Sequence, residues 1–113
     1  MNTEQRAHKR KFERVDVQLL LNYSDGVHFY SDTIKDISIG GLQIETLRNL
    51  ENGKQLILTL PTVPPSKVTG EVVWSRKKGI RYYIGIKFIG LKLEQELQIK
   101  EIIRARAMDN VIL

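Results

Sequence analysis

Residues 70–88 read GEVVWSRKKGIRYYIGIKF. Val68, Gly70, Val72 and Trp74 fall on every second position, and after Lys77-Lys78-Gly79 the residues Ile80, Tyr82, Ile84, Ile86 and Phe88 do the same. Period two marks a strand with one buried face, and a Gly-containing break between two such runs marks a hairpin. The pattern spreads outward. Val15, Val17, Leu19 and Leu21 alternate with Asp16, Gln18, Leu20 and Asn22, and Ser24-Asp25-Gly26 turns the chain into a second strand running from about Val27 towards Ile37. Gly40-Gly41 interrupts before the short strand LQIET; Asn52-Gly53 turns again, and Leu56, Leu58 and Leu60 alternate until PTVPP at 61–65 stops the run, since Pro cannot donate to a ladder. Six strands with short connections predict an all-β-dominated fold, a six-stranded antiparallel β-barrel, because closure removes exposed edges.

The period then changes. KLEQELQIKEIIRARAM, about 92–108, is built of good helix formers. Ile99, Ile102 and Ile103 fall on one stripe of that C-terminal α-helix, and Leu93 and Leu97 on a displaced patch. Either one broad face caps the barrel or the second patch meets another subunit, which makes a homodimer one expectation. Residues 1–13 show neither period and are expected to be a flexible basic arm, with residues 14–113 forming the barrel and its helix.

The chain has 113 residues, 42% of them apolar, which is enough for one compact domain. There is no Cys, so disulfides and thiolate metal sites are excluded and a reducing compartment, the cytoplasm, is expected. No apolar run approaches the ~20 residues of a spanning helix, so membrane insertion is not expected. Of a net charge of +5, residues 1–14 carry +3, from Arg6, Lys9, Arg10, Lys11 and Arg14 against Glu4 and Glu13. Such an arm is either a solvated tail or the counterpart of an anion. The two histidines, His8 and His28, have no spaced partner for metal binding or a nucleophile–base pair. GIKFIG at 85–90 begins like a phosphate loop but has Leu91 where Lys is required. Asp36 and Ser38 have no evident base beside them. No enzyme activity is expected, and no metal or cofactor.

Two short motifs carry chemistry. In DISIGG (36–41) a strand would turn Ile37 and Ile39 inward and Asp36 and Ser38 outward. Asp36 offers acceptors, Ser38 a donor and an acceptor, and Gly40-Gly41 permit a bend and a close backbone approach. Alone, the segment reads equally as a polar β-turn. In RKFERV (10–15), Arg10 and Arg14 stand four apart at the entrance to the first strand.

Together these motifs resemble the PilZ family, whose signature is R-x-x-x-R followed by D/N-x-S-x-x-G. Arg10 and Arg14 match the first element, and Asp36, Ser38 and Gly41 the second. The hairpin at 70–88 is similar to the family's closing hairpin. Arg6-Ala7-His8-Lys9-Arg10 is also R-x-x-x-R, but Arg14 directly precedes the first strand, as in the family. The resemblance implies a receptor or adaptor for cyclic di-GMP, a bacterial second messenger. Arg10 and Arg14 would grip phosphates and purine edges, Asp36 would read the N1–H and N2 face of guanine, Ser38 would bond a phosphate or guanine edge, and Gly41 would leave room. Arg6, Lys9, Gly40 and Trp74 would be further contributors, Trp74 either supporting a base or packing under the arm. Binding would order the arm and present a new surface to a protein partner in trans. The alternatives are a non-binding scaffold of the same fold acting through Leu93 and Leu97, and a nucleic-acid-binding barrel. The latter is disfavoured because its only candidate stacking aromatics are Phe29, Tyr30, Tyr82 and Tyr83, so no DNA or RNA partner is expected.

Overall fold

The computed structural model describes residues 13–111, with side chains as far as Arg106. Six strands, β1 (Val15–Ser24), β2 (Phe29–Ile37), β3 (Gly41–Thr46), β4 (Gln55–Leu60), β5 (Ser66–Lys78) and β6 (Arg81–Ile89), are followed by one helix, α1 (Leu93–Val111). The strands close into a barrel in the order β1-β2-β3-β6-β5-β4, every pairing antiparallel. The seam is the short β1–β4 pairing, Asn22↔Thr59 to Ser24↔Ile57. The expected barrel is the observed one.

Alternation builds the core. Val15, Val17, Leu21 and Tyr23 of β1, Leu56, Leu58 and Leu60 of β4, Val68 and Val72 of β5, and Ile84 and Ile86 of β6 all point inward and are buried. The register gives the barrel two distinct ends. The 25–28, 47–54 and 79–80 connections lie at one end; the Ser38–Gly40 turn, the 61–65 connection and the entry to α1 lie at the other. The helix covers the second end: Ile99 and Ile103 are buried and Ile102 partly so. The helix start is fixed twice by Gln95, whose Oε1 accepts from the Lys92 amide, the returning half of a capping box, while its Nε2 donates to Ser66 Oγ and the Lys67 carbonyl.

Three sequence expectations change. Ile80 is not a core residue of β6: it occupies the two-residue turn Gly79-Ile80 between the paired Lys78 and Arg81 and is 77% exposed. Gly79 has φ +65° and, among the described residues, no non-Gly residue has positive φ, as a type II′ turn with Ile80 in its second central position demands. Val27 likewise lies outside β2 and is exposed. The helix runs on to Val111, beyond the expected end near 108; its displaced Leu93–Leu97 patch faces outward at 71% and 53% exposure.

A polar latch closes the loop end that α1 leaves uncovered. The buried Tyr23 hydroxyl donates to Asp32 Oδ2 at 2.7 Å, Arg48 Nη2 donates to the same oxygen at 3.1 Å, and the Arg48 guanidinium stacks over Tyr30 at 4.1 Å. Burial, then the bond to Asp32, pushes the Tyr23 phenol up from 10.0 to about 12. The neutral phenol is therefore favoured by folding, a contribution on the order of 2–3 kcal/mol that is complete below pH 10 and lost as pH rises through about 12. Chemical denaturation between these limits should show the wild type losing this increment while Tyr23→Phe lacks it; identical slopes in both proteins would show that Tyr23 is not the group responsible.

Candidate ligand-binding site

β2 ends at Ile37, and the chain turns through Ser38, Ile39 and Gly40 into β3. The turn is pinned by backbone bonds. The Ser38 amide donates to the Gly41 carbonyl at 2.8 Å, and the Phe88 amide of β6 donates to the Gly40 carbonyl at 2.9 Å. Ser38 is not outward on a strand beside Asp36, as its alternation suggested. It is 5% exposed, and its hydroxyl accepts from the Gly40 amide at 3.1 Å, satisfying a donor the turn would otherwise strand. Ile37 is buried as expected and Ile39 packs against the core.

Gly41 acts by absence of a side chain, not by unusual φ. A Cβ on Gly41 would overlap the Ile86 carbonyl oxygen and lie 2.9 Å from the Lys87 Cα, so β3 can approach β6 this closely only with glycine there.

Asp36, one residue before the end of β2, faces outward. Its Oδ1 lies 3.7 Å from Arg14 Nε, and the two side chains are 14% and 44% exposed. Register then draws a row across the outer face of five strands: Asp16↔Asp36, Asp36↔Gln43, Gln43↔Gly85 and Gly85↔Trp74. Bulges between Ile34 and Asp36 and between Val72 and Trp74 bring these residues into line. At the far end the Trp74 indole lies against Gly85, filling the place a Cβ would take, and the Arg76 guanidinium sits 5.7 Å from its centroid. The three inter-strand steps from β2 to β5 span ~14 Å.

The structure thus brings together Arg14, Asp36 and Trp74 on one surface, with Ser38, Gly40 and Gly41 shaping the loop beneath its edge. Arg6, Lys9 and Arg10 lie outside the described residues. The residues that sequence reasoning missed are Gln43, Gly85 and Arg76. A glycine inside an otherwise β-branched strand signals close approach of another group, and Arg76 follows Trp74 by one strand period; Gln43 becomes visible only once the β2–β3 register is known.

The arrangement supplies an acceptor pair, a guanidinium, a primary amide and an aromatic face, but no nucleophile–base pair. Among the described residues no group of three His, Cys, Asp or Glu side chains could hold a metal. A trough of ≈ 570 Å³ on the outer face of β1, β2 and β4 has Lys67 as its single charged lining residue and shares none of the row.

The family model described as PilZ domain matches residues 8–105. The chain belongs to the PilZ family. A search of curated proteins found no match. Among solved PilZ-fold structures, the MrkH–c-di-GMP complex from K. pneumonia has a TM-score of 0.74 at 18% identity, covering 89% of this chain and 53% of MrkH. The PilZ domain of YcgR with c-di-GMP from Escherichia coli has a TM-score of 0.74 at 13% identity, covering 90% of this chain and 94% of that one. The Bacillus subtilis inhibitor of motility MotI/DgrA follows at 0.70 and 16% identity, covering 87% of this chain and 51% of it. The chain therefore spans about half the length of MrkH and of MotI, and 47% of the longer YcgR structure. At these identities the likeness is one of fold.

Gly41→Ala meets backbone and should cost roughly 1–3 kcal/mol or more. Gly85→Ala meets an indole that can move, so it should cost less and instead red-shift the emission of the chain's one tryptophan. Equal costs with unchanged emission would contradict this account of the β3–β6 approach and of the Trp74 seat.

Proposed function

We propose that this PilZ domain is a cyclic di-GMP receptor module, a binding protein and not an enzyme, acting in the cytoplasm. The observation that carries the proposal is the pairing of Arg14 with Asp36 at one end of a row that ends in Trp74. Family membership supports it, as do solved relatives of the same fold that hold c-di-GMP.

The chemistry matches residue by residue. The ligand is a dianion with two purine faces. The Arg14 fork can leave Asp36 for a phosphate, a doubly hydrogen-bonded exchange, while Arg10 provides a second fork from the arm and Arg6 and Lys9 add positive potential. Asp36, released from Arg14, accepts from the N1–H and N2 donors of guanine, a pattern adenine lacks. Gln43 stands beside it with a donor and an acceptor. Trp74 offers a stacking face and Arg76 a guanidinium above it. Ser38, Gly40 and Gly41 hold the loop that sets Asp36 in place. Folding residues 1–13 over the row costs roughly 1–2 kcal/mol per ordered residue, so only charge-assisted contacts can drive it. The ordered arm would then be read by a protein partner in trans.

A second reading has one observation of its own. Leu93 and Leu97 stand side by side and exposed on α1, a surface for an interaction scaffold or a homodimer that needs no nucleotide.

Calorimetric titration with cyclic di-GMP should give micromolar or tighter binding, weakened about 10–100-fold by Arg14→Ala and about 10-fold by Trp74→Ala, with the thermal transition retained. Absence of heat with the wild type would remove the receptor reading. Loss of self-association in Leu93→Glu/Leu97→Glu would then favour the second.

A further inference from the structure

The barrel end opposite α1 carries a cluster of exposed apolar tips. Register gathers three connections there, and each presents a large apolar side chain to solvent: Val27 and Phe29 at 76% and 86% exposure, Leu47 at 60%, and Ile80 at 77%. None is required by local geometry. The second central position of a II′ turn accepts polar residues freely, yet Ile80 occupies it. Phe29 pairs across from Ser24 at the open end of the β1–β2 hairpin, where no described element covers it.

Charge accompanies the apolar tips. Residues 72–91 contain Arg76, Lys77, Lys78, Arg81 and Lys87 and no Asp or Glu. The β5–β6 ribbon carries Lys78 and Arg81 past the last pair of β3, Thr46↔Tyr82, with Lys77 level with it, and all three past the last pair of β4, Gln55↔Glu71. The acidic groups facing this end are largely engaged: Glu45 pairs with Arg81 at 3.1 Å and Lys35 at 3.5 Å, Asp32 with Arg48 at 3.1 Å, and Asp25 accepts from the Val27 and His28 amides. Glu51 is exposed, with Lys54 three residues on.

We propose that this end is a membrane-docking surface: the Val27, Phe29, Leu47 and Ile80 tips enter the headgroup region of an anionic bilayer while Lys77 and Lys78 lie against its phosphates. Isolated apolar tips ringed by cations suit a fluid interface, which offers apolar depth and negative charge without shape. They suit a nucleic acid poorly, since base stacking needs a succession of flat aromatic platforms and of the four tips only Phe29 is aromatic. Such docking is peripheral and needs no spanning segment; no helix of the described residues is long and apolar enough to cross. It leaves the Asp36–Trp74 row open, because that row lies on the barrel wall and its Asp36 edge adjoins the opposite end. The inference stands on residues outside that row and does not rest on the ligand.

The test is co-sedimentation of the full chain with vesicles of phosphatidylcholine alone or containing about a third phosphatidylglycerol. Binding should require the anionic lipid and weaken with salt. Lys77→Gln/Lys78→Gln should reduce partitioning roughly thirtyfold, each lysine near such a surface being worth about 1 kcal/mol. Phe29→Ser/Ile80→Ser should reduce it roughly tenfold or more with an unchanged thermal transition, since both side chains are exposed. Wild-type protein left in the supernatant, or Phe29→Ser/Ile80→Ser binding as wild type, overturns the proposal, as does tight binding to a single-stranded oligonucleotide that ignores the apolar substitutions.

Discussion

The outer face of this barrel depends on how closely β3 can lie against β6. At Gly41 the neighbour is the Ile86 carbonyl, and at Gly85 the Trp74 indole reaches over from β5. The first leaves no room for a Cβ, and the second admits one only if the indole moves. The first holds the Ser38–Gly40 turn against Phe88, so the carboxylate of Asp36 is presented at a fixed height. The second leaves a flat floor on which an aromatic ring can lie with one face outward. Two missing side chains therefore set both ends of the row, while the core residues beneath it supply stability with no say in its chemistry.

The electrostatics of the row follow from its half-exposed position. Arg14 and Asp36 are 3.7 Å apart, and Arg14 is wet enough for screening to weaken the attraction. Such a pair is worth little to folding. That weakness suits the proposed exchange: a phosphate with two acceptor oxygens competes easily for the guanidinium, and Asp36 can then turn its acceptors to a donor pair. A fully buried pair would resist exchange by the several kcal/mol needed to strand either charge.

Much of this was legible in the chain. Period two over β1, β4 and β6 gave the strands, because one face of each is buried and its apolar residues cannot slip. Arg14, Asp36 and Gly41 were legible as types at a spacing. What failed to show was anything that depends on register. Ser38 was read as outward by counting from Asp36, but the strand ends between them and the hydroxyl is spent on the turn. Ile80 continued the β6 alternation by count, while the Gly79 conformation placed the turn there instead. Gln43 shows its place only through its cross-strand partner, since the bulge between Ile34 and Asp36 shifts the row by one residue and a linear pattern contains no mark of a bulge. Which helix stripe meets the barrel was likewise hidden: Leu93, Leu97, Ile99 and Ile103 are equally apolar, and the choice depends on where Gln95 ties the helix to β5.

The three surfaces are separable because the barrel is closed. An open sheet would have to guard two edges, and its faces would be shared between structural and binding roles. Here the helix covers one end through Ile99 and Ile103, the Tyr23–Asp32–Arg48 latch closes the interior at the other, and the wall between them carries the row from Asp36 to Trp74. Once both ends are closed internally, apolar residues at the loop tips contribute nothing to the core, and four of them gathered at one end point outward from the chain rather than into its packing. That is why Phe29 and Ile80 carry more information about partners than the far larger number of buried aliphatic residues, whose presence any barrel of this size would demand.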